Sequence, residues 1–317
     1  MPHRVLLTMP KFFDNEGYVR DFLRDRDCEL IEHDRHGKLT EDGLIDLIGD
    51  AEALVPGLER VGARVFDAAP QLRVVSAQGV GYDHIDVEEA TRRGIAVCIC
   101  AGCNNHSVAE LAFGMMLGLA RRVPEADAAV RAGGWSRLVG TELWGATLGI
   151  VGLGRVGRST ALIGRGFGMR VLATDIAWDI TFANQHDIDY VPLPRLLRES
   201  DFVSLHCPLT PQTRGLIGDA ALARMKPGAI LINTARGPIV DEAALVRALR
   251  ERRIAGAGLD VFETEPRPNN PFIDLPNAIL TPHLGGATRQ ATDRALELAL
   301  LNITQVLQGQ APVCRVN

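Results

Sequence analysis

The chain of 317 residues lacks an excess of positive charge and lacks any long run of apolar residues. Its net charge is −5, and acids and bases are spread along the whole length, so it has no basic stripe that would attract nucleic acid or an anionic membrane. The longest mostly apolar stretch, residues 111–120, is too short to span a bilayer. We therefore expect small-molecule partners, and neither a nucleic acid nor a membrane.

An export signal and a metal-binding pattern are also lacking. Residues 1–5, MPHRV, run into a strand-like pattern without the apolar core of a signal peptide, so we expect a cytoplasmic protein whose six cysteines are reduced thiols. Cys98, Cys100 and Cys103 lie close to His106. Four ligands from nine contiguous residues make a cramped tetrahedron, and no second Cys/His pair completes an ordinary zinc site. We predict no metal.

Apolar residues make up 46% of the chain, enough for the cores of two ordinary domains. Strand-like runs alternate with helical runs through the first hundred residues and again from residue 148 to about residue 280. This alternation predicts an α/β protein with two doubly wound parallel sheets. A helical pattern at residues 107–121 would connect the two domains, and another at residues 288–307 would return to the first.

A glycine fingerprint follows an apolar strand at residues 148–157, LGIVGLGRVG. Gly152 and Gly154 would form a tight turn that directs backbone N–H groups at a pyrophosphate, and Gly157 would allow close packing of helix on strand. The next apolar strand leads to Asp175, about 20 residues further on, where a carboxylate would hold a ribose 2′-hydroxyl. The pattern predicts a dinucleotide site in which Asp175 favours NAD over NADP.

Three ionisable residues come just after later strands, where α/β sheets place their ligand crevice. Arg236 is suited to clamp a carboxylate, although a salt bridge at a strand end is the alternative. His283, followed by glycines, is placed for proton transfer, although it could be a satisfied core histidine. Glu265 could accept a hydrogen bond from the imidazole, although alone it would read as a solvated loop acid. Together the three suit hydride chemistry.

The chain resembles the D-isomer-specific 2-hydroxyacid dehydrogenase family, which includes phosphoglycerate, glycerate, hydroxypyruvate and glyoxylate enzymes. Seven ordered motifs between about residues 74 and 290 contribute to the resemblance. They include residues 78–83, QGVGYD, the fingerprint, residues 206–210, HCPLT, residues 233–237, NTARG, and residues 282–286, PHLGG. The resemblance implies a Rossmann NAD-binding domain, residues 102–283, inserted into a flavodoxin-like substrate domain made of residues 1–101 and 284–317.

The resemblance also implies roles for individual residues. His283 would be the acid/base, Glu265 its partner, and Arg236 the group that orients the substrate carboxylate and carbonyl. Backbone N–H groups of Val80 and Gly81 would help to hold the carboxylate. NAD would contact residues along the second domain: Gly152, Gly154, Arg155, Val156 and Gly157 at the pyrophosphate turn, Asp175 at the adenosine ribose, Cys207 on the adenine side, Thr234, Ala235 and Arg236 along the cofactor, Asp260 at the nicotinamide carboxamide, and His283 and Gly286 nearby.

Several alternatives remain open within this fold. Phosphoglycerate enzymes tend to have arginines in the loop that here reads Pro56-Gly57-Leu58-Glu59, and the acid beside Arg60 favours a small unphosphorylated 2-oxo acid. Phosphoglycerate and phosphite oxidation remain possible, whereas formate enzymes have glutamine at the position of Glu265. Dinucleotide-sensing corepressors share the fold, but the chain shows no basic patch for chromatin partners. Family members are usually homodimers, and the segment around Trp135 resembles their interface.

Overall fold

The computed structural model describes residues 1–9, 15–33 and 39–317. These residues form two compact units, one made of residues 1–104 with 288–317 and the other of residues 105–287. We call them unit 1 and unit 2. The division falls three to four residues from the predicted domain limits, and both changes of unit come at the start of a helix.

Unit 1 contains a parallel sheet of five short strands. They are β1 His3–Leu7, β2 Cys28–Leu30, β3 Ala53–Val55, β4 Val74–Ser76 and β5 Ala96–Cys98. Their spatial order is β2-β1-β3-β4-β5, which is the flavodoxin-like order. Between the strands lie α1 Glu16–Arg24, α2 Glu41–Ile48, α3 Ala63–Ala68 and α4 Val87–Arg92.

The last helix of the chain, α12 Arg289–Leu307, also belongs to unit 1. It begins at Thr288, whose side chain accepts a hydrogen bond from the N–H of Ala291. Its Asn302 is fully buried, donating to the backbone oxygen of Ile99 and accepting from the N–H of Val313 at 3.1 Å each. The predicted helix at residues 288–307 is therefore present, and it lies in unit 1.

Unit 2 contains a parallel sheet of seven strands. They are β6 Thr147–Val151, β7 Arg170–Thr174, β8 Ile188–Tyr190, β9 Phe202–Leu205, β10 Ile230–Asn233, β11 Gly256–Leu259 and β12 Ala278–Leu280. The order is β12-β11-β10-β9-β6-β7-β8, which is the Rossmann order with one further strand beside the sixth. The helices are α5 Asn105–Ala120, α6 Val123–Arg131, α7 Arg155–Gly166, α8 Ile180–Gln185, α9 Leu193–Glu199, α10 Asp219–Leu222 and α11 Glu242–Arg250.

The predicted fold class is confirmed, since both sheets are parallel and flanked by helices. Strand β11 was not foreseen, because glycine is rare in strand interiors and this strand contains Gly256 and Gly258. A Cβ atom at Gly258 would lie 2.8 Å from the side chain of Met115, so the missing side chain makes room for α5 against the sheet. In the described ranges we find no helix with the length and apolarity needed to cross a membrane.

Candidate active site and cofactor site

The strands of unit 2 end at one edge of the sheet, and most of the candidate residues follow those ends. Strand β6 lies beside β9, and the strand order reverses between them, which is the place where such sheets bind ligands. Gly152 directly follows β6, and Cys207 follows β9 at the neighbouring position. Thr234, Asp260 and the loop after β12 succeed one another along the same edge.

The fingerprint glycines make a turn that only small residues permit. Gly152 has a φ of +94°, and a Cβ atom there would lie 2.6 Å from the backbone nitrogen of Cys207. A Cβ atom at Gly157 would lie 2.1 Å from the backbone oxygen of Gly152. Both positions therefore need glycine for the protein's own packing.

Gly154 differs, because a Cβ atom there would have no other residue of the described chain within 4 Å, apart from its neighbours along the backbone. It is the residue just before α7 and offers no side chain to cap the N–H groups of Arg155 and Val156. The first turn of this 12-residue helix also contains no acid. An open approach to an uncapped helix N-terminus is what a pyrophosphate requires, so the turn fits the phosphates of a dinucleotide.

Asp175 follows β7 and is held by the same turn. Its Oδ2 accepts a hydrogen bond of 2.6 Å from the N–H of Leu153, and its Oδ1 accepts one of 3.1 Å from Ala177. The carboxylate is thus fixed beside the fingerprint, in the place where a ribose hydroxyl would donate to it.

Two buried polar atoms close to this edge have no partner within the described part of the chain. They are Oγ1 of Thr234 and Nδ1 of His206, whose Nε2 is bonded to the hydroxyl of Ser204 at 2.9 Å. Buried polar groups are nearly always satisfied, so an unpaired hydroxyl on a proposed cofactor contact fits a missing ligand. Burial lowers the pKa of His206 to about 3, so this histidine stays neutral. Burial also raises the pKa of the Cys207 thiol to about 11, which excludes a thiolate nucleophile near neutral pH.

Asp260 is 1% exposed and binds the loop that contains His283. Its Oδ1 accepts from the hydroxyl of Thr281 and from the N–H of Leu284, both at 2.6 Å, and its Oδ2 accepts from the N–H of Gly285 at 2.8 Å. Its backbone oxygen accepts from the N–H of His283 at 2.9 Å. A carboxylate accepts about four hydrogen bonds, so about one place remains for the carboxamide that the resemblance assigns to Asp260.

His283 and Glu265 form a hydrogen-bonded ion pair. Nδ1 of the imidazole lies 2.6 Å from Oε2 of Glu265, whose Oε1 accepts from the N–H of Phe262 at 2.9 Å. The bond to Glu265 raises the pKa of His283 above its ordinary value, although burial opposes this. Burial alone would raise the pKa of Glu265, but the bonds from His283 and Phe262 outweigh it and lower that pKa. The pair is therefore built to keep an imidazolium next to a carboxylate.

Arg236 follows β10 and is positioned by its neighbours. Nδ2 of the buried Asn233 donates to the backbone oxygen of Arg236 at 2.9 Å, and Nη1 of Arg236 donates to the oxygen of Ala235 at 2.7 Å. At Gly237 a Cβ atom would lie 1.9 Å from the carbonyl carbon of Phe262. This close approach brings the backbone beside Arg236 against the segment that leads to Glu265.

The structure adds two supporting residues that the sequence did not single out. Asn233 is the first residue of the motif at residues 233–237. Its amide shapes the turn before Arg236 by accepting from the N–H of Ala235 and donating to the backbone oxygen of Arg236. Glu242 is buried, accepts a hydrogen bond from the N–H of Glu263 at 2.6 Å and pairs with Arg267 at 2.5 Å. It therefore holds the segment on both sides of Glu265. A glutamate in the first turn of a helix gives no sequence signal for such a role.

Val80 and Gly81 lie in an irregular loop that begins beyond β4 of unit 1. Gly286 follows the loop bound by Asp260 in unit 2. Cys100 and Cys103, after β5, are buried, and the single thiol proton of Cys100 is shared between the backbone oxygens of Ala77 and Ala295, each 3.2 Å from Sγ. Cys98 is the last residue of β5, so Cys100 lies beyond the strand.

Comparison with known proteins places this geometry in a family. The model of the D-isomer specific 2-hydroxyacid dehydrogenase, NAD binding domain, matches residues 113–285. The chain belongs to this family. The sequence-based prediction of the family is confirmed, and the enzyme is an NAD-dependent oxidoreductase.

Relatives resemble the chain over nearly its whole length. A glyoxylate reductase of Korarchaeum cryptofilum is 46% identical over 282 residues, which cover 86% of this chain and 85% of that protein. The crystal structure of the TT0316 protein from Thermus thermophilus has a TM-score of 0.89 and 40% identity, and covers 99% of this chain and 100% of that one. D-Lactate dehydrogenase from Aquifex aeolicus, solved with NAD and lactic acid, has a TM-score of 0.84 and 29% identity, covering 97% and 96%.

The second and third glycines of the fingerprint, Gly154 and Gly157, predict different defects. Gly154→Ala should leave the free energy of unfolding unchanged but weaken NADH binding roughly tenfold or more, because the methyl group enters the space that the pyrophosphate needs. Gly157→Ala should destabilise the fold by about 1–3 kcal/mol through overpacking against Gly152. Urea unfolding and NADH fluorescence titration measure both. Wild-type NADH affinity in Gly154→Ala would refute the placement of the pyrophosphate.

Proposed function

We propose that the enzyme reduces a small, unphosphorylated 2-oxo acid of the glyoxylate type to its 2-hydroxy acid with NADH. The observation that favours this most is the His283–Glu265 pair, a proton donor with a raised pKa, on the same sheet edge as the fingerprint. Relatives that share 42–46% identity and at least 86% of this chain are glyoxylate reductases. These similarities support the substrate class.

Each of the three residues has one task in this proposal. Bound NADH supplies a hydride to the carbonyl carbon of the substrate. Because Nδ1 of His283 is engaged by Glu265, Nε2 is the atom that donates a proton to the carbonyl oxygen. Glu265 stabilises the imidazolium before transfer. Arg236 binds the substrate carboxylate through its planar guanidinium, and Val80 and Gly81 add backbone N–H groups.

A second group of residues would hold the cofactor. Arg155 and Val156 would bind the pyrophosphate with their backbone N–H groups, and Asp175 the adenosine ribose. Thr234 would use its unpaired hydroxyl, and Asp260 its remaining acceptor position. The other proposed cofactor contacts are Gly152, Gly154, Gly157, Cys207, Ala235, Arg236, His283 and Gly286.

The loop after β3 refines the argument about phosphate. Glu59 was expected to oppose a phosphate beside Arg60, but its carboxylate is buried, accepting hydrogen bonds from the N–H of Gly57 at 2.9 Å and from the hydroxyl of Thr8. The exposed members of the loop are Leu58 and Arg60. Glu59 therefore shapes the loop, and the case for an unphosphorylated substrate rests on the single arginine and on the relatives.

A substrate panel tests the proposed substrate class. We expect kcat/KM with NADH to be highest for glyoxylate or hydroxypyruvate. It should be at least about tenfold lower for phosphohydroxypyruvate, because the loop after β3 offers a single arginine and no cluster of cations to bind the phosphate dianion. Pyruvate, which has a methyl group where glyoxylate has a hydrogen, measures whether the substrate site accepts a larger side chain. Phosphohydroxypyruvate as the best substrate would contradict the proposal, and no turnover of any 2-oxo acid would favour a binding protein.

Replacing His283 should remove the proton donor. His283→Ala is expected to lower kcat by about 10²- to 10⁴-fold, the usual contribution of a positioned acid/base. Because His283 has a φ of +55°, which strains alanine, His283→Asn is the matched variant that tolerates this backbone. Both variants should bind NADH. Near-normal turnover in either one would exclude His283 as the acid.

Replacing Glu265 should move the pH profile. Reduction needs protonated His283, so kcat/KM falls as the pH rises through the pKa of His283, and Glu265 holds that fall at a higher pH. Glu265→Gln removes the main cause of the raised pKa, so the fall should move to lower pH. Oxidation needs the neutral imidazole, and its rise should move to lower pH as well. Glu263→Gln in the same segment is the control, and an unmoved profile in Glu265→Gln would contradict the pairing.

We further propose that the enzyme is a homodimer, as is usual in the family. Large apolar side chains are exposed between residues 123 and 144, among them Trp135 and Val139, each 86% exposed, and Trp144. Monomeric proteins seldom expose such a cluster. A second copy of the same segment is the proposed cover.

Light scattering tests the dimer. The wild type should have twice the 34.3 kDa mass of the chain, and Trp135→Arg with Val139→Asp should shift it towards the single-chain mass by placing charge in the interface. Ile273→Arg, at another exposed apolar residue, should stay dimeric. A monomeric wild type or a dimeric double variant would contradict the proposal.

A further inference from the structure

A cation lies close to the proposed ribose site. Arg158 is in the first turn of α7, and its Nε donates to the backbone oxygen of Leu153 at 3.2 Å. The N–H of the same Leu153 donates to Oδ2 of Asp175. The guanidinium of Arg158 and the carboxylate of Asp175, which is assigned to the ribose, therefore bind the backbone oxygen and the backbone N–H of the same residue, Leu153.

A second carboxylate fixes this guanidinium. Nη2 of Arg158 lies 2.8 Å from Oδ2 of Asp179, and the guanidinium carbon lies 4.6 Å from the centre of the Phe182 ring. Asp179 also caps α8, since its Oδ1 accepts from the N–H of Phe182 at 3.0 Å. That hydrogen bond and Arg158 lower the pKa of Asp179, so the carboxyl stays ionised. Arg158 is thus held in place rather than free to swing through solvent.

The charges around Arg158 bear on whether the ribose site accepts NAD or NADP. Arg158 is paired with Asp179 and shares Leu153 with Asp175, so these three side chains together contribute two negative charges and one positive charge. The 2′-phosphate of NADP adds a dianion at the ribose. Arg155, at the start of α7, is the other nearby cation in sequence, but its backbone is assigned to the pyrophosphate.

We propose that Arg158 is a binding group for a ribose 2′-phosphate that Asp175 and Asp179 together keep out of use. The preference for NAD then depends on all three side chains, not on Asp175 alone. This inference rests on the proposed placement of the ribose at Asp175. It predicts that neutralising the two carboxylates allows Arg158 to bind the 2′-phosphate and so raises the affinity for NADP.

Equilibrium binding tests the inference without turnover. Dissociation constants for NAD⁺, NADP⁺ and adenosine 2′,5′-bisphosphate are measured by calorimetry. Asp175→Asn removes the charge and keeps one oxygen that can accept from the N–H of Leu153, at the cost of the acceptor for Ala177. It should improve NADP⁺ affinity relative to NAD⁺ by about tenfold. Adding Asp179→Asn, which can still cap α8, should improve the ratio further.

The decisive comparison removes Arg158. In the Asp175→Asn background, Arg158→Gln should abolish the gain for NADP⁺ and for the bisphosphate. The control is Arg165→Gln, seven residues along the same helix, because Arg165 also binds one backbone oxygen and one carboxylate, those of Met169 and Asp187. It should retain the gain.

The outcomes separate this inference from the one on which it rests. If Asp175→Asn improves NADP⁺ affinity equally with and without Arg158, the inference is overturned while the ribose assignment stands. If Asp175→Asn changes the affinity of neither cofactor, both are overturned. A gain that requires Arg158 and survives Arg165→Gln supports the inference.

Discussion

The candidate active site depends on the hydrogen bonds that the buried Asp260 accepts from the loop around His283. Its three side-chain bonds fix Thr281, Leu284 and Gly285, and its backbone oxygen binds the N–H of His283. These bonds hold His283 at a φ of +55°, a conformation that costs a bulky residue of order 1–3 kcal/mol. The surrounding hydrogen bonds offset that strain, and the imidazole consequently meets Glu265 without further reorganisation.

The parallel sheet of unit 2 explains why these groups meet at all. Residues after β6, β7, β9, β10 and β11 are far apart in the chain, but the sheet brings the carboxyl ends of its strands to one edge. Glycine supplies the close approaches there: Gly152 against Cys207, and Gly237 against Phe262. Because the backbone makes the packing contacts at this edge, the side chains there are available to bind the cofactor and substrate.

Much of this arrangement was accessible from the sequence. Strand and helix periodicity predicted both sheets, and the fingerprint with Asp175 predicted a dinucleotide site beside β6. What could not be predicted depends on contacts distant in sequence. Glutamates are ordinarily exposed, yet Glu59 and Glu242 are buried and accept hydrogen bonds from backbone N–H groups. Asp260 was assigned to a cofactor by resemblance, whereas its oxygens are mostly engaged by the loop around His283. Local patterns identify residue types near a strand end, but they do not show which donor each carboxylate receives.

The protonation state of His283 tests the central claim most directly. ¹⁵N NMR of histidine-labelled enzyme, with His283→Asn used to assign the signal, reports both the pKa and the tautomer of the imidazole. The account predicts a pKa above the ordinary value and, once neutral, a proton on Nδ1 facing Glu265, because that nitrogen is the bonded one. An ordinary or lower pKa with the neutral proton on Nε2 would contradict it.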